Sequence, residues 1–170
     1  MKIRKANKED AKRLAELFLD FYVSHSYMGK FWLPDWAPEK IKNLGELMNT
    51  DAARRKTFED VLGQLKETGM LIFVAEIDNK IVGYISFSIE KNDPWFKIKK
   101  YGFIDNTYTD IMYRRQGIAK KLIEFAENYF RKRGISHIML KTTLQNEIAQ
   151  KTWEHFGYKK ELYVHLKELK

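Results

Sequence analysis

The chain has no cysteine. That excludes a disulfide framework, a thiolate nucleophile and any metal held by cysteine. No window approaches the roughly 18 consecutive apolar residues of a membrane span. Nor does an apolar run follow Met1-Lys2-Ile3-Arg4-Lys5, so no signal peptide is expected. Repeats, low-complexity tracts and any stretch that reads as an interdomain linker are also lacking. These absences lead to the expectation of one cytoplasmic domain over residues 1–170, long enough to bury a sound core.

What is present is a globular composition with a basic excess. Apolar residues make up 44% and charged residues 32%, which excludes a disordered chain, and the net charge is +8. The excess reads either as a lysine-rich solvated surface or as a match for a polyanion: a nucleotide-like cofactor, an acidic protein or RNA. A nucleic-acid module is the weakest of these. No zinc spacing, RNA-binding aromatic motif or regular basic helix of known type occurs, so no nucleic-acid and no membrane partner is expected.

In chain order the pattern predicts β, α, α, β, β, β, α, β, α, β, a mixed sheet with helices of the α/β or α+β class. Residues 1–6 read as a short strand. Asn7 caps a helix, with Asp10 at the capping-box offset. Residues 24–38 are irregular and aromatic, and 39–67 read helical with a break near 49–51; Phe58, Val61, Leu62 and Leu65 form the later apolar face. Met70–Ile77 is nearly all apolar, as in a strand buried on both faces. After a tight turn at 78–80 comes a strand over 81–89, where Gly83 suggests a bulge or a close backbone approach. Residues 90–100 form a charged loop. Strands are expected at about 101–109, 135–142 and 159–169, with helices after Gly117 and from Asn146.

The chain is organised around residues 103–134, which read as a strand, a basic turn with one glycine and an amphipathic helix (Ile118, Leu122, Phe125, Ala126, Tyr129). Such a turn can grip phosphate. Its backbone N–H groups and the first unpaired N–H groups of the helix point one way, where the helix dipole favours an anion. Arg114-x-x-Gly117-x-Ala119 is a weak signal alone. Its setting strengthens it: a strand before, a helix and strand after, then Asn146-x-x-Ala149, Trp153 and Gly157-Tyr158.

In these residues the chain resembles the GNAT superfamily of acyl-CoA-dependent N-acyltransferases, by motif over about residues 70–158. The resemblance implies a central twisted mixed sheet of about six to seven strands flanked by helices, splayed between the fourth and fifth strands. It implies an N-acetyltransferase that moves an acetyl group from acetyl-CoA to a primary amine by direct attack on the thioester, with no metal. It places the coenzyme A pyrophosphate on the amides of Arg115, Gln116, Gly117, Ile118, Ala119 and Lys120. Arg114, Arg115, Lys120 or Lys121 would meet the phosphates. The backbone of Thr107, Tyr108 and Thr109 would pair with the pantetheine arm. Asn146 and Trp153 are carried over as cofactor contacts.

For the chemistry, Asp105 is expected as the base and the Thr109 N–H as the oxyanion donor. Strand alternation puts Asp105 on the face of Thr107 and Thr109, with Asn106 opposite; Asp110 lies beside the cofactor turn. The sequence departs from the family at Trp153, where a tyrosine acid is common. An indole N–H donates a hydrogen bond but delivers no proton near neutral pH. Tyr158 or Tyr108 would substitute, or the thiolate would leave unassisted. The same departure motivates an alternative, a non-catalytic acyl-CoA-binding or regulatory module. The acceptor end is expected at residues 24–60, with Tyr27, Phe31, Trp32 and Trp36 as aromatics and Asp35, Glu39 and Glu46 as acids. The acceptor is a small-molecule or protein amine, and a homodimer is possible.

Overall fold

Two apolar faces on one sheet set the architecture. The computed structural model describes residues 1–25, 33–34, 36–67 and 69–162. The elements are β1 (Lys2–Lys5), α1 (Ala11–Val23), α2 (Leu44–Met48), α3 (Asp51–Gln64), β2 (Leu71–Ile77), β3 (Lys80–Lys91), β4 (Lys100–Thr109), α4 (Ile118–Arg131), β5 (Ile138–Leu140) and α5 (Glu147–His155). Among the described residues the sheet has five strands in the order β1-β2-β3-β4-β5. All neighbours are antiparallel except β4 and β5. A mixed sheet flanked by helices is thus what the pattern predicted.

The apolar run of β2 is explained by its two faces. Ile72 and Val74 pack with Ala11, Leu14, Phe18 and Val61 on the α1 and α3 side. Ala75, with Phe73 and Leu71, packs toward Leu122, Ala126 and Phe130 of α4. A third cluster, Leu19, Leu44, Leu47 and Ala53, seats α2 against α1. Within the predicted helical face only Val61 is fully buried; Phe58 is exposed. The break predicted near 49–51 is the junction of α2 and α3, where Thr50 accepts from the Ala53 N–H as an N-cap.

Local sequence explains the joints. Asp78 and Asn79 both take positive φ, as a two-residue hairpin turn requires. Next to it the β2–β3 register slips by one residue at Val82. A Cβ on Gly83 would stand 2.7 Å from the Tyr108 carbonyl, so the predicted close approach is real. A second slip lies in β4: Phe87 faces Ile104 and Ser86 faces Asn106, which leaves Asp105 as the extra residue of a bulge.

β5 is shorter than predicted. Only Ile138–Leu140 pair, with Gly102–Ile104, after which the two strands part and no ladder remains to define a longer strand. Of the last predicted strand, residues 159–162 are irregular and 163–169 lie outside the described residues.

The N-terminus is tied down by a buried acid. Asp10 accepts from the Asn7 N–H, completing the capping box with Asn7, and from two nitrogens of Arg4 at 2.6 and 2.9 Å. Burial pushes the Asp10 carboxyl up, but Arg4 and the Asn7 N–H outweigh it and leave its pKa lowered. Asp10→Ala should therefore destabilise the fold by about 2–4 kcal/mol near neutral pH, read by urea unfolding. A depressed carboxylate stabilises above its unfolded pKa, about 4. The difference between the proteins should accordingly hold above that pH and close as acid protonates Asp10 in the folded state.

Candidate active site

The parting of β4 from β5 builds the site. Ile104 is the last β4 residue paired with β5. Beyond it, residues 105–109 keep only β3 as a neighbour strand among the described residues. Asp110 N–H donates to the Val82 carbonyl at 2.9 Å, and Thr109 stands opposite Gly83. Hydrogen-bonded and open pairs alternate in an antiparallel ladder, so Thr109 and Thr107 turn their N–H and C=O groups away from β3. The Thr109 carbonyl confirms the direction, since it accepts from Arg114 Nε at 3.1 Å rather than from β3. The Thr107 and Thr109 amides thus face the gap between the strands.

At the end of β4 the chain turns through Arg115 (φ 64°) and Gly117 (φ 76°) into α4. Two left-handed residues so close together make a concave run of N–H groups. No side chain caps the helix, and its first hydrogen bond runs from Lys121 N–H to the Gly117 carbonyl. The Ile118, Ala119 and Lys120 amides precede that bond and have no acceptor within the helix. They open on a pocket of about 190 Å³ lined by Thr109, Tyr113, Arg114, Arg115, Gly117, Ile118, Ala119, Lys120 and Phe156. All the predicted turn residues line it except Gln116. A Cβ on Gly117 would meet no protein atom within 4 Å, so the space beside it is open. Arg114 is partly spoken for: it braces Thr109, and its guanidinium lies 5.2 Å from the Tyr108 ring centre. A larger pocket, about 480 Å³, lies beside Arg4, Asp10, Arg13 and Asp110. There Arg4 pairs with Asp10 and Arg13 with Asp110, so those charges already satisfy each other.

The bulge corrects the expected facing of Asp105. Its Oδ2 accepts from Asn106 Nδ2 at 2.6 Å and from Ser86 Oγ at 3.4 Å, so it sides with Asn106 and Tyr108, on the α1 face. Thr107, opposite Ile85, takes the other face. Plain alternation fails because the extra residue puts two successive side chains on one side. The Asp105 side chain is reached by solvent, yet burial of its surroundings raises its pKa, and the Ser86 hydrogen bond opposes the rise. Burial, and to a lesser degree the Asp105 charge, raises the pKa values of Tyr22 and Tyr84, while that of Tyr108 is raised by burial and then by Asp20, with Arg114 opposing. The Tyr84 hydroxyl and Thr109 Oγ1 are buried without a partner among the described residues. Asp110 is a brace: it takes the Arg13 guanidinium and the Met112 N–H.

The later motif is mostly structural. Asn146 Oδ1 caps α5 by accepting from the Ala149 N–H, which is the physical reason for Asn-x-x-Ala. Its Nδ2 lies 3.4 Å from His25 Nε2. His25 Nδ1 stands 2.8 Å from the Phe21 carbonyl, an acceptor only, so Nδ1 holds the proton and Nε2 accepts from Asn146. This link between the end of α1 and the start of α5 has no sequence signal; 121 residues separate its partners. Trp153 packs edge-on to Tyr158, 5.1 Å between ring centres, within the α4-side core. Tyr158 donates to Glu127 at 3.2 Å, and burial, then that carboxylate, pushes its pKa well up, which leaves it a poor acid for the gap. Of the predicted acceptor-end residues, Trp36, Glu39 and Glu46 are exposed, and the Glu46 carboxylate accepts from the Lys42 N–H and from Asn43, the N-cap of α2; Tyr27, Phe31, Trp32 and Asp35 lie outside the described residues.

Comparison with known proteins agrees with this geometry. Residues 12–158 match the model of the acetyltransferase (GNAT) family. N-alpha-acetyltransferase 30 of Saccharomyces cerevisiae is 34% identical over 126 residues, 71% of this chain and 69% of that protein. Human N-acetyltransferase 8 is 31% identical over 96 residues, 56% of this chain, and the match spans only 41% of the human protein. Among solved structures, the aminoglycoside N-acetyltransferase AAC(6')-Iy in complex with CoA superposes with a TM-score of 0.70. That match is 18% identical and covers 99% of this chain and 93% of that one, a likeness of fold. On the family match and the yeast relative, the chain belongs to the acetyltransferase (GNAT) family.

Proposed function

We propose that this protein transfers an acetyl group from acetyl-CoA to a primary amine. The observation that carries the reading is the pairing of two unfilled sets of donors: the Thr107 and Thr109 amides facing the split, and the Ile118–Lys120 amides facing the adjoining pocket. The second set, with Arg115 and the α4 dipole, suits a pyrophosphate. The first suits an extended arm with amides of its own, added like a strand. Acetyl-CoA supplies the activated thioester.

The chain's own residues supply the rest. Asp105 takes the proton that the amine loses as its nitrogen bonds to the acetyl carbon, directly or through one water. Thr109 N–H donates to the thioester oxygen as negative charge develops there. The carbon–sulfur bond then breaks and the electron pair leaves with sulfur. Tyr108 is the one phenol of the two weighed as acids that stands on the Asp105 face. Nothing in the comparisons favours the non-catalytic alternative. The yeast relative's name points to an α-amine, and the CoA-bound structural neighbour's to an aminoglycoside. Thiol release with a panel of both amine types tests the reading, and no release with any amine would sink it.

Gly117→Val should fold, since a Cβ there meets no protein atom within 4 Å, at a cost of about 1–3 kcal/mol for the left-handed backbone. It should lose CoA affinity by at least about tenfold in calorimetry, roughly 1.4 kcal/mol or more, because the added methyls fill the pocket. Asp105→Asn should lower kcat/KM by about 10²–10⁴. In the parent protein the acid limb of the pH profile should lie above the ordinary aspartate value, about 3.9, since the Asp105 pKa is raised. Activity rises with pH as Asp105 loses its proton, and that limb should vanish in the variant.

A further inference from the structure

β3 and β4 reach further than their neighbours. The last β2 pair is Leu71 with Phe87, and β5 pairs with β4 only from Gly102 onward. Among the described residues, Glu90, Lys91, Lys100 and Tyr101 therefore pair only with one another. The hairpin stands out about four residues, roughly 13 Å, past the last β2 pair. Its eight-residue tip, 92–99, is held in shape. Asn92 N–H donates to the Lys99 carbonyl at 2.9 Å, Phe96 N–H to the Asp93 carbonyl at 3.0 Å, and Lys99 Nζ to the Pro94 carbonyl.

This tip carries two adjacent aromatics where burial is least. Trp95 is 83% exposed and Phe96 52%. Lys91, Lys97, Lys99 and Lys100 surround them, against Asp93 alone within the same stretch. The nearest other acid, Glu90, takes the Ser88 hydroxyl. Two adjacent exposed aromatics form a contiguous apolar patch, which is more informative than single exposed side chains.

We propose that this hairpin tip is a membrane-surface anchor. Trp95 and Phe96 enter the boundary between headgroups and acyl chains of an anionic bilayer, and the lysines stay at the phosphate and carboxylate level. The chemistry of the tip selects that occupant. A rigid indole beside a phenyl suits the interfacial layer, and long lysine stems let the charge reach headgroups while the aromatics descend. The sign of the charge matches an anionic leaflet. Two aromatics offer roughly 300–500 Å² of contact. That falls well short of the roughly 800 Å² per partner in a stable protein interface, but it is enough for a shallow wedge. The cofactor turn leaves from the other end of β4, so docking by the tip leaves that pocket open. No membrane span is needed, and the sequence-based expectation of no membrane partner is revised to that extent. The inference rests on the hairpin and stands independently of acetyl transfer.

The test is co-sedimentation of the full chain with vesicles of phosphatidylcholine alone and of phosphatidylcholine mixed with phosphatidylserine. Binding should be at least about tenfold stronger to the mixture and should weaken with added salt. Trp95→Ala with Phe96→Ala should abolish it, and Lys97→Glu with Lys100→Glu should reduce it to the level of neutral vesicles. Both pairs should keep the parent's circular dichroism and its activity without vesicles. Equal binding by the aromatic pair would overturn the proposal. So would failure of the parent to bind either vesicle, including the case in which light scattering finds a dimer that the aromatic pair splits.

Discussion

The structure turns on one constraint: among the described residues, β4 is paired on both edges for only three residues. Past Ile104 its outer edge has lost β5, yet Thr109 is buried. Backbone donors at a buried edge need partners, and leaving them bare is costly. The proposed function places a strand-like guest there. The other features of the site follow from keeping the edge open. The bulge at Asp105 turns a carboxylate toward α1, Arg114 holds the Thr109 carbonyl, and the two left-handed residues start α4 so that its bare amides continue the same line of donors.

Packing, more than ion pairs, holds α1 and α4 against β3 and β4. On one side Phe130 and Phe87 lie against the α4-facing core with ring centres 5.0 Å apart, and a Cβ on Gly102 would strike the Phe130 ring at 2.6 Å. On the other, Phe18 stacks on Tyr84 at 4.4 Å. Each such buried aromatic contributes about 1.5–3 kcal/mol. The Arg13–Asp110 pair joins α1 to the end of β4, but it is partly solvated and so worth roughly 1 kcal/mol or less. Its value lies in geometry. Arg13 also donates to the Ile81 carbonyl, so α1 and the end of β4 are held in one register beside the cofactor turn.

What the sequence made legible was local or periodic. The apolar run of β2, the α4 stripe, the Asp78-Asn79 turn and the glycine before α4 each have a short-range cause, and each stands where it was expected. The facing of Asp105 was misread because a one-residue slip depends on the partner strand, and β4 by itself shows no break in alternation. The short β5 was misread for a related reason: Ile135–Thr142 has strand composition, but the ladder ends where the sheet splits. Contacts such as His25 with Asn146 arise only when distant segments meet, and no local pattern encodes them. Residues 90–100 read as a charged loop, but β3 runs on to Lys91 and β4 starts at Lys100, which leaves 92–99 as the tip. Its aromatics gained meaning only once the hairpin was seen to outrun its neighbours.

Trp153 at a position where relatives often carry tyrosine is less damaging to acetyl transfer than it first looks. The proposed reaction has two proton demands, and they are unequal. An alkyl amine with a pKa near 10.4 must be neutral to attack, which at pH 7 costs about 4–5 kcal/mol. The departing thiolate, with a pKa near 8.5 for a simple thiol, needs about 2 kcal/mol of help at the same pH. A base is therefore worth more than an acid. The chain has a carboxylate whose pKa is raised by burial, turned by a bulge onto the α1 face of β4 beside the split. In the acid's place it has an indole packed against Tyr158, whose own hydroxyl is committed to Glu127. That allocation fits a site in which deprotonating the amine is the harder step and sulfur leaves as the anion, with its proton taken later from solvent.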